Sequence, residues 1–330
     1  MEKIKNSFSK YGPGIVIAFI VAFAAKFLGE HYGAPTMLFA LLLGMALNFL
    51  SEDNVVRPGI DYTATKILRI GIALLGVRIA FSDLTAFGWK PVALVIIGVI
   101  TTIGIGMIIA RMMGYKYRFG TLTGGAVAIC GASAAMAISA VLPTTDKQER
   151  DTVFTVVAVT TLSTLAMILY PLITQAIEMN DLEAGLFFGA TIHDVAQVIG
   201  AGATISDEAL NIATMTKLMR VALLVPVVLL IALSFRKDSK ESAEKPPALP
   251  FFLVMFLVMV GLNSMGWIPE LARDYMIEGS KLFLIAAISA VGLKTNLKSI
   301  AEVGFKPVAL MLIETIWIGG LVLVALPYVV

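Results

Sequence analysis

The residues best suited to chemistry in this chain lie in the middle of an apolar stretch. His193, Asp194 and Gln197 fall within FGATIHDVAQVIGAG (188–202), between long hydrophobic runs. They stand about twelve residues after Leu182, or ~18 Å along a helix, which is well inside an apolar layer of ~30 Å. A charged group there costs at least ~2.5–3.5 kcal/mol, so it is normally kept to line a cavity or to pair with another group. Because imidazole titrates near neutral pH, His193 and Asp194 predict a site for a proton or another coupling ion.

A purely structural role is the alternative, since a polar side chain can also join two helices through a hydrogen bond. If the segment is one continuous helix, Gly189, His193, Ala196 and Gly200 share a face, with Gln197 beside them. Such a small and polar face leaves room around a solvated site. The pattern therefore favours function over packing.

A second segment, GGAVAICGAS (124–133), is built from small residues. Gly124, Gly125 and Gly131 each weaken a helix by ~1 kcal/mol relative to alanine, which predicts a discontinuous helix. The free N–H groups at the start of a half-helix suit an anion, and Cys130 and Ser133, three residues apart, could reach the same ligand. Close helix packing through small residues is the alternative.

A third segment carries two cations, Lys217 and Arg220, ahead of an uncharged run of ~15 residues. That run spans only ~22 Å, so a full-length helix must include Arg220 and extend towards Lys217. A guanidinium in a cavity binds carboxylate, sulfonate or sulfate through its planar fork. Snorkelling to the membrane surface is the alternative, and it fits Lys217 better than Arg220. An Asp194–Arg220 ion pair that opens on substrate binding would form a simple gate.

Composition shows what must position these residues. The chain has 330 residues, of which 58% are hydrophobic and 15% charged, with mean hydropathy +0.89; soluble domains have ~45–50% and ~25%. This predicts an all-α polytopic membrane protein, a single transporter domain over 1–330. The net charge of +2 gives no case for nucleic acid, and the single Cys130 excludes an intramolecular disulfide and a cysteine metal cluster. No ATP-binding or hydrolase motif is found in the sequence, so we expect neither an enzyme nor a cofactor or metal.

The apolar runs predict about eleven membrane spans, with discontinuous helices near the midplane. They are 13–29, 35–50, 63–81, 91–113, 119–142, 152–177, 182–203, 212–235, 248–267, 275–293 and 307–329. Lysine and arginine cluster in alternate loops, and this places the N-terminus in the cytoplasm and the C-terminus outside. The charged stretch 236–250 is then a short cytoplasmic linker.

An internal repeat is visible over 35–113 and 250–329. Lys90-Pro91-Val92-Ala93-Leu94 matches Lys306-Pro307-Val308-Ala309-Leu310, and the alignment also pairs Pro35 with Pro250, Asn48 with Asn263, Gly76 with Gly292 and Arg78 with Lys294. The copies lie seven spans apart, an odd number, so they run in opposite directions. Inverted repeats are typical of secondary transporters. Asn48 and Asn263 are either symmetric site elements or hydrogen bonds within the bundle.

Four segments carry a family resemblance: GGAVAICGASAAMAIS (124–139), TLAMILYPL (164–172), ATIHDVAQVIGAG (190–202) and TKLMRVALLVPV (216–227). Together they resemble the YeiH-type sulfate exporter family of bacterial membrane proteins, over nearly the whole chain. The resemblance implies a transporter of the bacterial cytoplasmic membrane that exports sulfate or related sulfur anions. The matched positions are Cys130, Gly131, Ser133, His193, Asp194, Gln197, Lys217 and Arg220.

The combined expectation is a secondary transporter of a small anion that works by alternating access. The Gly124–Gly131 half-helix, Lys217 and Arg220 would hold the anion, while His193 and Asp194 would bind the coupling ion. We expect that ion to be a proton, with sodium as the alternative. The alternative function is an uncoupled anion channel. The remaining expected partners are the lipid bilayer and, as a further option, a second copy of the chain in a homodimer.

Overall fold

The computed structural model describes residues 2–32, 35–79, 88–143, 148–235, 251–295 and 305–330, and these ranges are helical. The predicted linker 236–250 lies outside the described residues. In chain order the α-helices are α1 Glu2–Tyr32, α2 Thr36–Ala46, α3 Arg57–Tyr62, α4 Leu68–Leu75, α5 Trp89–Met112, α6 Tyr117–Ala128, α7 Ala132–Val141, α8 Gln148–Ala176, α9 Asp181–Thr191, α10 Val195–Ile205, α11 Asp207–Ala222, α12 Leu224–Ser234, α13 Phe251–Ser264, α14 Glu270–Lys294 and α15 Phe305–Val329.

Among the described residues, six helical stretches are long and apolar enough to cross a membrane, and four of the shorter helices are also apolar. Large apolar side chains such as Ile20, Ile100 and Val324 are exposed on the long helices, which is expected where lipid rather than water surrounds them. The chain is therefore a multi-pass helical membrane protein. The other predicted spans fall on short or interrupted helices, so the number eleven stays a prediction.

The chain divides into two compact units, and the first contains Met1–Phe87, Ile199–Asp207 and Pro250–Asn296. Within it, α14 packs on α1, α2 and α4, and α13 packs on α4. Matched glycines of the repeat make these contacts close. A methyl group added at Gly76 would collide with the carbonyl oxygen of Phe256, and one added at Gly292 with that of Leu41. Leu41 and Phe256 are themselves matched residues, so the two copies make the same contact on each other.

The second unit contains Gly88–Val198, Glu208–Leu249 and Leu297–Val330. Within it, α5 packs along α6, and α15 packs against α5, α6, α8 and α9. Helices α5 and α15 each begin one residue before the repeated Lys-Pro pair. Trp317 Nε1 donates to Thr101 Oγ1 at 3.2 Å, and these residues stand at equivalent positions in the two copies.

Candidate functional site

Two helices of the second unit are interrupted in the middle of an apolar segment. The first break separates α6 from α7: Ile129 leaves helical geometry at φ −111° and ψ −82°, and Gly131 takes φ 62°. The second break separates α9 from α10, where Ile192 turns extended at φ −63° and ψ 139°. Each break leaves carbonyl groups at the end of one half-helix and N–H groups at the start of the next without partners inside the helix.

Lys217 and Arg220, one turn apart on α11, supply donors to the carbonyl groups at both breaks. Lys217 Nζ donates to Ile129 O at 2.7 Å and to Ile192 O at 2.8 Å, so a single ammonium bridges the two interruptions. Arg220 Nε donates to Ala128 O at 2.8 Å.

The remaining guanidinium nitrogens of Arg220 extend the same contact to further carbonyls at the ends of α6 and α9. Nη2 donates to Val127 O at 2.7 Å, and Nη1 donates to Gly189 O at 3.1 Å and Ile192 O at 2.9 Å. The carboxyl end of a helix carries partial negative charge, so two cations between two such ends are favourably placed. This explains how Lys217 and Arg220 can be 0% and 1% exposed.

On the other side of the two breaks, where the half-helices α7 and α10 begin, lies an acidic residue. Asp194 directly precedes α10, and its carboxylate lies against Gly131 at the start of α7: a methyl group added at Gly131 would stand 2.5 Å from Asp194 Oδ1. Its backbone N–H donates to Ser163 Oγ on α8 at 3.0 Å. Helix starts carry partial positive charge, so the half-buried carboxylate of Asp194 is favourably placed beside the start of α7 and directly before α10. Asp194 thereby balances Lys217 and Arg220 across the breaks.

His193 and Gln197 extend this polar site, and each keeps one buried atom unpaired. His193 Nε2 lies 3.0 Å from Thr315 Oγ1 on α15, and Gln197 Nε2 lies 3.4 Å from Thr164 Oγ1 on α8. In the part of the chain that the structure describes, His193 Nδ1 and Gln197 Oε1 have no hydrogen-bond partner. Buried polar atoms are rarely left so, and these two are available to a proton, an ion or a ligand.

The structure separates the residues that were predicted to share the glycine-rich turn. Gly124 and Gly125 lie inside α6 rather than at the break, where Gly124 packs on Ile103 and Gly125 on Ile138. Their role here is packing, because a methyl group on either would collide with its neighbour or crowd it. The break itself falls later, at Gly131.

Cys130 and Ser133 do not form the common helical face predicted for them. Cys130 lies in the break and is buried, whereas Ser133 is accessible in the first turn of α7. The predicted continuous face of Gly189 and Ala196 is also absent, since the break at 192–194 puts them on separate helices.

The predicted Asp194–Arg220 ion pair is not formed, because the guanidinium of Arg220 is directed at backbone carbonyls. Asn48 and Asn263 belong to the other unit: Asn48 Nδ2 donates to Leu293 O at 2.6 Å, and Asn263 Nδ2 donates to Ile79 O at 3.2 Å. Asn48 binds the last turn of α14, and Asn263 binds the residue that follows the short 3-10 helix Gly76–Arg78, each in the opposite copy of the repeat. These contacts favour their structural interpretation.

Sequence reasoning missed Glu314 on α15, which directly precedes Thr315, the partner of His193. The side chain of Glu314 is fully buried, and Thr123 Oγ1 donates to its Oε1 at 2.7 Å. Thr315 was also missed as a partner of the site. A carboxylate in a long apolar run was a usable signal for Glu314, whereas hydroxyls are too common in membrane helices to single out.

The fold and the site define a class of protein: a multi-pass helical membrane protein with charged groups buried at two interrupted helices. A family model described as "Conserved hypothetical protein 698" matches residues 13–311. The UPF0324 membrane protein CT0845 of Chlorobaculum tepidum is 49% identical over 326 residues, which cover 98% of this chain and 91% of its own.

Two further relatives extend the comparison. The UPF0324 membrane protein TauZ of Paracoccus pantotrophus is 50% identical over 311 residues, which cover 93% of this chain and 92% of its own. A UPF0324 membrane protein of Bacillus cereus is 32% identical over 321 residues, which cover 94% and 93%. No solved structure matches. The chain belongs to the UPF0324 family of membrane proteins, the YeiH-type family that its motifs indicated.

Proposed function

We propose that this protein is a secondary active transporter of a small anion, such as sulfate or a sulfonate, that works by alternating access. The observation that carries the proposal is the pair of interrupted helices joined by Lys217 and Arg220 at one side of the breaks and by Asp194 at the other. Interrupted helices with compensated ends are typical of transporters that hold an ion or substrate near the membrane midplane.

An inverted repeat supports the same mechanism. Matched glycines at 76 and 292 approach matched carbonyls, and matched asparagines at 48 and 263 bind helix ends of the opposite copy. Reciprocal contacts of this kind are expected when two copies are related by a pseudo-twofold axis. We therefore retain the inverted-repeat fold, the cytoplasmic N-terminus and the inner bacterial membrane as parts of the proposal.

The anion would bind at the start of α7, where Gly131 and the accessible Ser133 present first-turn N–H groups and a hydroxyl. Asp194 occupies the same place in this structure, so its carboxylate and an anion would repel each other. A proton on Asp194 removes that repulsion, which links anion binding to proton binding. Lys217 and Arg220 would not contact the anion directly. They would hold the ends of α6 and α9 in place and add positive potential at the site.

Transport by the purified protein in lipid vesicles tests this function. Sulfate, sulfite, taurine and a dicarboxylate should be offered separately, with imposed proton or sodium gradients. We expect saturable uptake of at least one anion that responds to the proton gradient. Uptake that follows only the sodium gradient would favour the sodium-coupled alternative, and non-saturating flux independent of both gradients would favour a channel. Absence of flux for every anion would contradict the proposed substrate class.

The variant Asp194→Asn tests the residue assignment, because the amide imitates a protonated carboxyl. It should retain exchange of the anion between two compartments at equal pH and lose accumulation driven by the proton gradient. Asp274→Asn, at an exposed position of α14, is the matched control and should behave like the unmodified protein. Proton-driven accumulation by Asp194→Asn would exclude Asp194 as the coupling group.

A further inference from the structure

The carboxyl group of Glu314 is buried in a part of the protein that the proposed anion site does not use. Glu314 is the tenth residue of α15, so it lies ~14 Å from the helix start at 1.5 Å per residue, in the middle of a membrane-spanning length. Its side chain is 0% exposed. A carboxyl at this depth is a functional candidate by default.

Residues of two other helices, Gly106 of α5 and Thr123 of α6, contact this carboxyl. Gly106 of α5 approaches it so closely that an added methyl group would collide with Glu314 Oε1. The same methyl group would meet Gly120 O and Gly124 Cα of α6, so Gly106 faces both the carboxyl and the backbone of α6. Glycine at position 106 therefore leaves space for the carboxyl and for the close packing of α5 on α6, whereas Gly120 and Gly124 face the backbone of α5.

The polar contacts of Glu314 are those of a neutral acid rather than of an ion pair. Thr123 donates to Oε1, while Oε2 has no hydrogen-bond partner among the described residues. Thr102, one turn before Gly106 on the same side of α5, also has a fully buried and unpaired hydroxyl.

The titratable and charged groups on the surrounding helices give this carboxyl no adjacent cation. The helices packed against α15 are α5, α6, α8 and α9. Tyr170 of α8 faces α15 near Gly319, five residues further along the helix, and His193 reaches α15 through Thr315. The described charged side chains of these helices lie near their ends, outside the stretch that encloses Glu314: Lys90, Arg111, Arg118, Arg150, Asp151, Asp181 and Glu183.

We infer that Glu314 binds a proton in this state of the protein, and that it is a second proton site of the transport cycle, in addition to Asp194. An ionised carboxylate without a cation and with one unpaired oxygen would be strongly unfavourable in this environment. Release of the proton then requires α15 to separate from α5 and α6, so the protonation of Glu314 reports the conformation of this helix group. The role in transport rests on the function proposed above, whereas the bound proton does not.

Infrared difference spectroscopy tests the bound proton without any transport. Spectra of the purified protein at neutral pH are compared with those of Glu314→Gln, and Glu208→Gln, at an exposed position of α11, is the matched control. We expect a carboxylic acid band that is present in the unmodified protein and in Glu208→Gln and is lost in Glu314→Gln. A carboxylate band that disappears in Glu314→Gln instead would overturn the inference.

Transport by the same variants tests the coupling role. Glu314→Gln should keep at least half of the sulfate or taurine exchange measured at equal pH and lose most proton-driven accumulation, while Glu208→Gln keeps both. Retention of proton-driven accumulation, or equal loss of both activities, would show that Glu314 is not a coupling site. Absence of flux in the unmodified protein would count against the proposed function alone, since the infrared result would still decide the proton on Glu314.

Discussion

At the scale of single residues, the charges at the two breaks explain one another. Lys217 and Arg220 hold carbonyls that the interruptions leave free, and Asp194 lies where the interruptions leave N–H groups free. Charged residues are unfavourable in an apolar segment, but here they offset the free-energy cost of interrupting two helices. Because the interrupted helices depend on these residues, replacing them should measurably lower the stability of the protein.

The role of Arg220 leads to a prediction for Arg220→Lys. A lysine keeps the charge but cannot donate to carbonyls on both α6 and α9 through a planar fork. Each buried carbonyl left unsatisfied costs ~1–3 kcal/mol, so we expect a loss of ~2–5 kcal/mol and a clearly lower melting temperature in detergent. Arg57→Lys, at an exposed position, should change little. Normal stability with reduced anion affinity would instead show that Arg220 binds the substrate directly.

Gly131 leads to a second residue-scale prediction. Its φ of 62° and the neighbouring Asp194 both disfavour any side chain. The free energy of unfolding of Gly131→Ala should therefore fall by ~1–3 kcal/mol because of backbone strain. The collision with Asp194 should lower it further. Gly114→Ala is the informative comparison, because Gly114 has φ 86° with nothing within 4 Å of an added methyl group. Equal melting temperatures for the two variants would contradict the close packing of Asp194 against Gly131.

The sequence predicted one of these breaks and not the other. Gly131 lies among small residues, which indicated an interrupted helix, and the structure interrupts it at that residue. The second break carries Ile192 instead of a glycine, and its cause is distant: Lys217 and Arg220 bind the freed carbonyl of Ile192. A tertiary contact of this kind leaves no local pattern, so the segment 188–202 read as one continuous helix.

At the scale of elements, the two repeat copies make similar contacts on each other. Asn48 on the chain after α2 binds the end of α14, and Asn263 on α13 binds Ile79 O. The repeat was visible in the sequence through Lys-Pro and asparagine, but its contacts were not. Alignment shows that two segments are alike, whereas only the fold shows that each binds the other.

This reciprocity predicts matched effects for Asn48→Ala and Asn263→Ala. Each variant removes one amide donor to a helix-end carbonyl, which is worth ~1 kcal/mol, and the shorter bond of Asn48 should cost more. The losses should add in the double variant, because the two amides share no partner. Thermal unfolding in detergent measures this, with the exposed Asn54→Ala as the control. A neutral result at one of the two positions would show that the copies are not equivalent.

At the scale of the whole molecule, composition alone was sufficient to predict a helical membrane protein. The content of 58% hydrophobic residues leaves no other class, and the long helices expose the apolar side chains that lipid would cover. The path of the interrupted segments across the membrane is harder to obtain from sequence. A half-helix pair such as α6 and α7 has the length either to cross or to return to the side on which it began.

Cysteine labelling should show that both interrupted segments cross the membrane. In a Cys130→Ala background, single cysteines replace exposed residues before and after each segment: Lys116, Arg150, Ile177 and Glu208. The charge distribution places the first and third in the cytoplasm and the others outside, so an impermeant maleimide should label only positions 150 and 208 in intact cells, and all four after lysis. Labelling at 116 and 150 from one side would mean that α6 and α7 form a re-entrant hairpin. That outcome would change the parity of every later span and remove the opposite orientation of the two repeat copies on which alternating access depends.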